Sequence, residues 1–409
     1  MTPRPLHAVL LPAAAGAQRL LEVLGAALDG TGPALLPVDP RLPAERARAL
    51  LRALRPATLE TLEGTQRLDP GDSPAVAPGT AVVIVTSGST GEPKGVELSA
   101  AALRHSARAS LDRIGARPGE AWLSCLPPSH ISGLQVFVRS LLSGVPPVVL
   151  ERLDAESAAT TGGGALLARG GGLPEYVSLV PTQVRHLLDE PGGRDALAGF
   201  RAILLGGAAV PAGLRAEAAA AGARVITTYG MSETCGGCVY DGEPLDGVSA
   251  GIGPDGRIRL AGPVLFSAYR GRPDLTAAAL EAGWFVTSDV GEVDGSGRLT
   301  VRGRADGMIN TGGEKVSADE VASVLEDCPG VREAVVVGRP DPEWGELVTA
   351  IVVPADPAAP AGLVVLRGFA GGRLPLYAAP RPVVVVPAVP LLPSGKPDLR
   401  ALRLLAQQG

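Results

Sequence analysis

Only three lysines, Lys94, Lys315 and Lys396, stand against 34 arginines in this chain of 409 residues. Arginine serves wherever a generic positive charge is enough. A surviving lysine therefore marks a place where a compact ammonium on a flexible stem suits better than a planar fork. All three sit among glycines, in Ser87-Gly-Ser-Thr-Gly-Glu-Pro-Lys94-Gly, Asn310-Thr-Gly-Gly-Glu-Lys315 and Pro393-Ser-Gly-Lys396. The first segment, expected to follow a strand and to precede a helix, has the composition of a phosphate cradle. Gly88 and Gly91 let backbone N–H groups turn toward an anion, Thr86, Ser87, Ser89 and Thr90 add hydroxyl donors, and Lys94 adds charge. The Gly-x4-Gly-Lys-Ser/Thr spacing of a Walker A loop is absent.

Cys125, Cys235, Cys238 and Cys328 are too few and too scattered for a disulfide framework. Cys235-Gly-Gly-Cys238 has redox or half-zinc spacing. It lacks a second ligand pair, and it follows a Tyr-Gly-Met-Ser-Glu-Thr turn where a redox motif wants a strand leading into a helix. The net charge of −5 gives no footprint for nucleic acid, and 46% hydrophobic residues with mixed charges fit a globular protein. No apolar run reaches the 18 or so residues of a membrane helix, and the N-terminus lacks the apolar core of a signal peptide. The expected compartment is the cytoplasm.

These groups need a scaffold, and the hydrophobic pattern supplies an α/β one. Strands are expected at 81–86, 122–126, 145–150, 176–180, 202–205 and 224–228, with helices at 99–114 (Ser99 as N-cap), 132–142, 181–189 and 211–221. Such alternation predicts parallel sheets flanked by helices, with ligands at the carboxyl ends of strands. Gly88, Gly206-Gly207 and Gly230 all fall just past predicted strand ends, which predicts one shared crevice. From about residue 246 short strands and Gly/Asp turns predict a barrel-like subdomain to about 305. After Asp306 a small α+β unit is expected, so the domains read as 1–305 and 306–409.

Taken in order, these segments resemble those of the AMP-forming acyl-CoA synthetase (adenylate-forming) superfamily, over nearly the whole chain. The phosphate loop is one. Gly206-Gly207-Ala208 is similar to its adenine-side loop and Thr228-Tyr229-Gly230-Met-Ser-Glu233-Thr234 to its nucleotide and magnesium motif. Gly283-Trp-Phe-Val-Thr-Ser-Asp289 is similar to its ribose motif, Gly303-Arg304-Ala-Asp306 to its hinge, and Pro393-Ser-Gly-Lys396 to its C-terminal catalytic loop. The resemblance implies a large N-terminal domain with a small mobile C-terminal one, and ATP, Mg²⁺ and CoA as cofactor and substrates. By resemblance, Asp289 holds the ribose hydroxyls, Arg304 the ribose or phosphate, Tyr229 stacks on adenine, and Thr90 and Thr234 reach phosphate oxygens. Glu233 and Thr90 hold the metal, and Lys396 stabilises charge as a carboxylate attacks the α-phosphorus. Asp306 is the hinge about which the small domain turns, and Gly312 and Gly313 line a thiol tunnel.

The acyl pocket is expected from Leu126 to Phe137 and from Ser178 to Leu188. His130 would gate it or touch the carboxylate, Ser132, Gln135, Thr182 and Arg185 would supply polar contacts, and Gly236-Gly237 would leave room for a flat ring. These features look most like the members acting on o-succinylbenzoate, an aromatic dicarboxylate of menaquinone biosynthesis. Another aryl- or acyl-CoA ligase, an adenylation enzyme serving a carrier protein, and a silent nucleotide-binding relative stay open. The expected partners are small molecules, without nucleic acid or a membrane span, and a homodimer is one state the chain allows. Three departures stand out: Ser288 where glycine is usual before the ribose Asp, Gly307 after the hinge, and Leu399 after the catalytic lysine. Ser288 is expected to crowd the nucleotide, Leu399 to weaken C-terminal docking.

Overall fold

A computed structural model describes residues 4–68, 73–87, 93–154, 157, 174–391 and 397–408. The chain forms two compact units. The first comprises 1–207, 218–249 and 260–285, the second 208–217, 250–259 and 286–409. The boundary expected at 305/306 therefore lies inside the second unit.

Two seven-stranded sheets dominate the first unit. In one, β5 (Thr80–Ser87), β2 (Ala34–Pro37), β1 (Leu6–Val9) and β3 (Thr58–Thr61) run parallel. β4 (Gly64–Arg67) closes one side, and β6 (Pro93–Ser99) with β16 (Ala268–Tyr269) closes the other, all antiparallel. In the other, β8 (Val148–Val149), β7 (Trp122–Ser124), β9 (Tyr176–Leu179), β10 (Ala202–Gly206) and β11 (Val225–Met231) are parallel. The hairpin of β12 (Gly236–Tyr240) and β13 (Glu243–Pro244) is appended antiparallel. The predicted alternation is thus present, with antiparallel strands added at the edges.

Helices α1 (Ala13–Asp29), α3 (Ala100–Ile114) and α4 (Ile131–Ser143) share one apolar core with the first sheet, where Leu24, Leu103, Leu134 and Phe137 meet Val82, Ile84, Val96 and Leu98. Ala109 and Ile114 of α3 and Val136 of α4 pack instead with Trp122, Tyr176, Leu204 and Ile226 of the second sheet. Buried on two faces, α3 and α4 are the middle layer of this unit. Ser99 caps α3, its hydroxyl accepting the Ala102 N–H at 3.0 Å, and Gly115 ends it at φ 71°. Helix α2 (Ala44–Leu54) covers the opposite face of the first sheet through Leu50 and Leu54.

One local expectation needs correcting. The phosphate loop does not open directly into α3, because β6 intervenes and pairs with β5 from Ser87↔Pro93 to Thr80↔Ser99. Lys, Gly and Glu obscure the alternation of β6 in the sequence, yet residues 95–98 are all buried. Glu97 is admitted by Arg270. The two side chains are 5% and 4% exposed and 3.4 Å apart. Glu97 also accepts from the Ala77 N–H and the Thr80 hydroxyl, and Arg270 donates to the carbonyls of Leu54 and Pro74.

In the second unit β18 (Trp284–Val293) and β19 (Leu299–Arg304) pair antiparallel from residue 289 onward. A separate core gathers β20 (Met308–Thr311), β21 (Glu314–Ser317), β22 (Val331–Asp341) and β23 (Gly345–Pro354), with a helix at Ala318–Glu326 and another at Leu363–Gly371. β24 (Val383–Val385) lies parallel to β23, and the last helix, Leu399–Gln408, packs Leu402 and Ala406 on the other face of this sheet.

Arg270→Met leaves Glu97 buried without its counter-charge, and urea unfolding should show a loss of about 3–5 kcal/mol. The double variant Arg270→Met/Glu97→Leu should recover much of it. Equal loss in both variants would remove the ion pair as the cause.

Candidate active site

The described part of the phosphate loop is its base. Thr86 and Lys94 face each other across β5 and β6, both half-buried, and Ser87 pairs with Pro93. Gly88, Ser89, Thr90 and Gly91 lie outside the described residues. The Lys94 ammonium stands 5.8 Å from the centre of the Tyr269 ring. Tyr269 in turn donates its hydroxyl to the Glu233 carboxylate at 2.8 Å, and the Phe266 N–H donates to the Glu233 carbonyl at 2.8 Å. The carboxylate expected to meet metal thus stands beside the loop expected to meet phosphate.

Glu233 occupies the single turn Ser232–Thr234 that reverses the chain from β11 to β12. Thr234 makes that reversal. Wholly buried, its hydroxyl accepts the Met231 N–H at 2.9 Å and lies 2.8 Å from the Gly236 carbonyl and 3.1 Å from that of Met231. Its bonding capacity is spent on the turn, so the expected phosphate contact by Thr234 is not supported. Gly230 also needs correcting: it lies within β11, not past its end. A Cβ there would come within 2.1 Å of the Gly236 carbonyl oxygen. At Gly237 a Cβ would meet Thr228 and Tyr240 at 3.0 Å, so the space expected there for a flat ring is filled by the hairpin itself. Gly236 takes φ 96° and backs onto Gln135 and Ile131.

On the adenine side, Gly206 ends β10 so close to β11 that a Cβ would lie 2.3 Å from the Thr228 hydroxyl, and Gly207 turns away at φ 83°. Tyr229 follows in β11, half-buried. Ala208 opens the second unit and is exposed.

His130 is half-buried at the N-terminus of α4, in the field of Asp39. Against the upward push of its burial, Asp39 is held below the usual carboxylate range by Arg41, which grips both its oxygens, and by His130. Gly133 lets α4 start tightly, since a Cβ there would lie 2.2 Å from the Pro127 carbonyl oxygen. Ser132, Thr182 and Arg185 are half-buried. Gln135 is only 2% exposed and donates to the Cys235 carbonyl at 2.8 Å. Its own carbonyl oxygen has no partner among the described residues.

Two residues escaped the sequence reading. One is Tyr269. The other is Arg139, one turn beyond Gln135 on α4, buried with its guanidinium 4.3 Å from the Trp122 ring centre and 3.3 Å from the Ser178 hydroxyl. Among the described residues it has no ion pair, its Nε is unpartnered, and burial pulls its pKa down. The sequence did carry a signal, an arginine inside the apolar run Val136-Phe-Val-Arg139.

In the second unit Asp289 and Arg304 are cross-strand partners, with Oδ1 and Nη1 3.9 Å apart. The Thr287 hydroxyl accepts the Asp289 N–H at 3.0 Å. Ser288 is exposed, and as the neighbour of Asp289 along the strand it points to the opposite face. The expected crowding by Ser288 is therefore not found. Asp306 belongs to the short turn Ala305–Gly307, its side chain outside the described residues. Gly312 and Gly313, at φ 61° and 86°, form the two-residue turn of the β20–β21 hairpin. The Gly312 N–H donates to the Trp344 carbonyl at 2.9 Å. Lys315 pairs with Asn310 on the exposed face, and Lys396 lies outside the described residues.

The four thiols are free. Burial pushes Cys125 and Cys238 up to about 12 and raises Cys235 and Cys328 as well. Among the described residues no group of three or more His, Cys, Asp or Glu side chains is arranged to hold a metal, and no helix is long and apolar enough to cross a membrane.

With this geometry, the sequence matches the AMP-binding enzyme model over residues 34–260 and the model of its C-terminal domain over 320–396, and the chain belongs to that family of AMP-binding enzymes. Among its relatives is a probable 2-succinylbenzoate–CoA ligase of Mycobacterium tuberculosis, 41% identical over 401 residues that cover 97% of each chain. The o-succinylbenzoate-CoA synthetase of Bacillus subtilis, in complex with the acyl-adenylate OSB-AMP, superposes with a TM-score of 0.81 at 26% identity, covering 98% of this chain and 88% of that one. The same synthetase with ATP and magnesium ion gives 0.78 at 26% identity, covering 96% and 88%.

Thr234→Val removes the bonds that close the turn and leaves buried backbone groups unpartnered, each costing about 1–3 kcal/mol. Denaturant unfolding should show a loss of at least that size. Undiminished stability with weakened ATP binding would restore the phosphate contact.

Proposed function

We propose that this protein activates o-succinylbenzoate with ATP and transfers the acyl group to CoA. The carrying observation is the likeness to a 2-succinylbenzoate–CoA ligase along 97% of both chains. In the first step a substrate carboxylate oxygen bonds to the α-phosphorus and the bond to pyrophosphate breaks. In the second the CoA sulfur bonds to the acyl carbonyl carbon and the bond to AMP breaks, the thiol proton leaving to solvent. Neither step needs a protein nucleophile, so catalysis is positioning and electrostatics.

The residues take these parts. Backbone and hydroxyl groups of 86–91 and Lys94 hold the phosphates. Gly206, Gly207, Ala208, Thr228, Tyr229 and Gly230 receive the adenosine side, and Asp289 and Arg304 the ribose. Magnesium accompanies ATP and spreads the phosphate charge. A single protein carboxylate, that of Glu233, would suit it, because Mg²⁺ keeps waters and substrate phosphates as its other ligands. His130, Ser132, Gln135, Thr182 and Arg185 border the acid. Arg139 gives a dicarboxylate a buried counter-charge, which a monocarboxylic acid would not use. A turn about Asp306 exchanges Lys396, for adenylation, with the Gly312-Gly313 hairpin, for thioester formation. We assign the reaction to the cytoplasm, where ATP and CoA are both at hand.

Pyrophosphate release across a panel of carboxylic acids, with and without CoA, tests the reading. Release dependent on o-succinylbenzoate, with its CoA thioester seen by mass spectrometry, is expected. Turnover of other acids alone would overturn the substrate, and release without a CoA thioester would move the acceptor to a carrier protein. Lys396→Ala should abolish acyl-adenylate formation, by about 10²-fold or more for one lost charge contact in the transition state, yet spare thioester formation from supplied adenylate. Equal loss in both half-reactions would remove Lys396 from that role.

A further inference from the structure

We propose that Tyr269 is a positioning residue for metal-bound ATP, its hydroxyl fixing the Glu233 carboxylate in the orientation that receives Mg²⁺. The inference rests on the reading of Glu233 as the metal ligand, and goes beyond it by naming what holds that ligand.

The geometry points to Tyr269 in three ways. First, Glu233 is gripped twice from one segment, by the Phe266 N–H at its carbonyl and by the Tyr269 O–H at its carboxylate, both at 2.8 Å. A carboxylate has about four lone-pair sites, so a tyrosine donor at one of them fixes its direction and does not by itself bar a hard cation. Second, the tyrosine is itself held. Its ring packs on Phe266 at 4.8 Å between centres, Phe266 packs edge-on to Phe285 at 5.4 Å, and the Thr276 hydroxyl accepts the Tyr269 N–H at 2.9 Å. Third, β16 puts Tyr269 opposite Val96 on β6, two residues from Lys94, whose ammonium faces the same ring. Metal ligand and phosphate-loop lysine are thereby kept in one register. A phenol is protonated at neutral pH, so the hydroxyl acts as the donor in this pair. Packing needs only the ring, whereas aiming the carboxylate needs the oxygen. Hydrogen bonds that orient a metal's ligand typically change its affinity about 10–100-fold.

The test uses the full-length protein without acid substrate, so nothing turns over. Calorimetry measures ATP affinity in EDTA and across a Mg²⁺ series for the parent, Tyr269→Phe, Glu233→Gln and Phe266→Leu. The last variant disturbs the ring packing but keeps the hydroxyl. Tyr269→Phe is expected to raise the Mg²⁺ midpoint about tenfold or more while metal-free ATP affinity stays unchanged. Phe266→Leu, which loosens the ring but keeps the hydroxyl, should shift the midpoint less than Tyr269→Phe does. A shifted midpoint in Glu233→Gln with none in Tyr269→Phe overturns the role of Tyr269 and leaves Glu233 standing. No shift in Glu233→Gln overturns the metal-ligand reading itself. If Tyr269→Phe weakens metal-free and metal-bound ATP alike, or Phe266→Leu matches its shift, the tyrosine is a packing residue and the proposal fails.

Discussion

The buried pair of Glu97 and Arg270 is the constraint on which the rest of the site leans. Two charges taken from water repay the cost only when each is fully bonded. Here the carboxylate also receives a backbone N–H and a hydroxyl, and the guanidinium reaches two carbonyls. The pair pins the segment after Phe266 to β6, a strand whose other end carries Lys94. With that strand fixed, Tyr269 meets Glu233, and the turn after β11 stands beside the phosphate hairpin. A packed apolar contact would hold the same elements together but would fix their register less sharply.

How much of this could be read from the sequence depended on distance along the chain. Strands β5, β7, β9 and β10 are short apolar runs, and Ser99 before α3 is a local capping signal, so these were visible. Lys94 stood out by composition, whereas Glu233 and Asp289 were legible through contiguous motifs that resemble those of a known family. β6 was hidden because Glu97 looks like a surface charge until Arg270, 173 residues away, supplies its partner. Tyr269 was hidden for the same reason, since no short spacing links it to Glu233. Thr234 misled in the opposite way. A hydroxyl next to a metal-type glutamate reads as a ligand, whereas the tight hairpin consumes it.

The glycines divide along the same line. Gly206, Gly230 and Gly237 are required by close approach of backbone or side chain, while Gly312 and Gly313 are required by positive φ in a two-residue turn. Composition shows only that glycine is abundant. The reason for each becomes visible when the opposing strand is in place, and at Gly237 the reason is structural rather than room for a substrate.

The buried cysteines have a practical reach. Thiolate is the reactive form of cysteine, and burial raises the pKa of all four side chains, Cys235, Cys238 and Cys328 in the core and Cys125 half-buried. Alkylating and maleimide reagents should pass over the three core cysteines of the native fold and find Cys125 first. With Cys125 replaced by serine, a single cysteine introduced on an exposed strand would be the addressable position for a fluorophore or spin label, and inter-unit distances could be followed without stripping the other natural cysteines from the core.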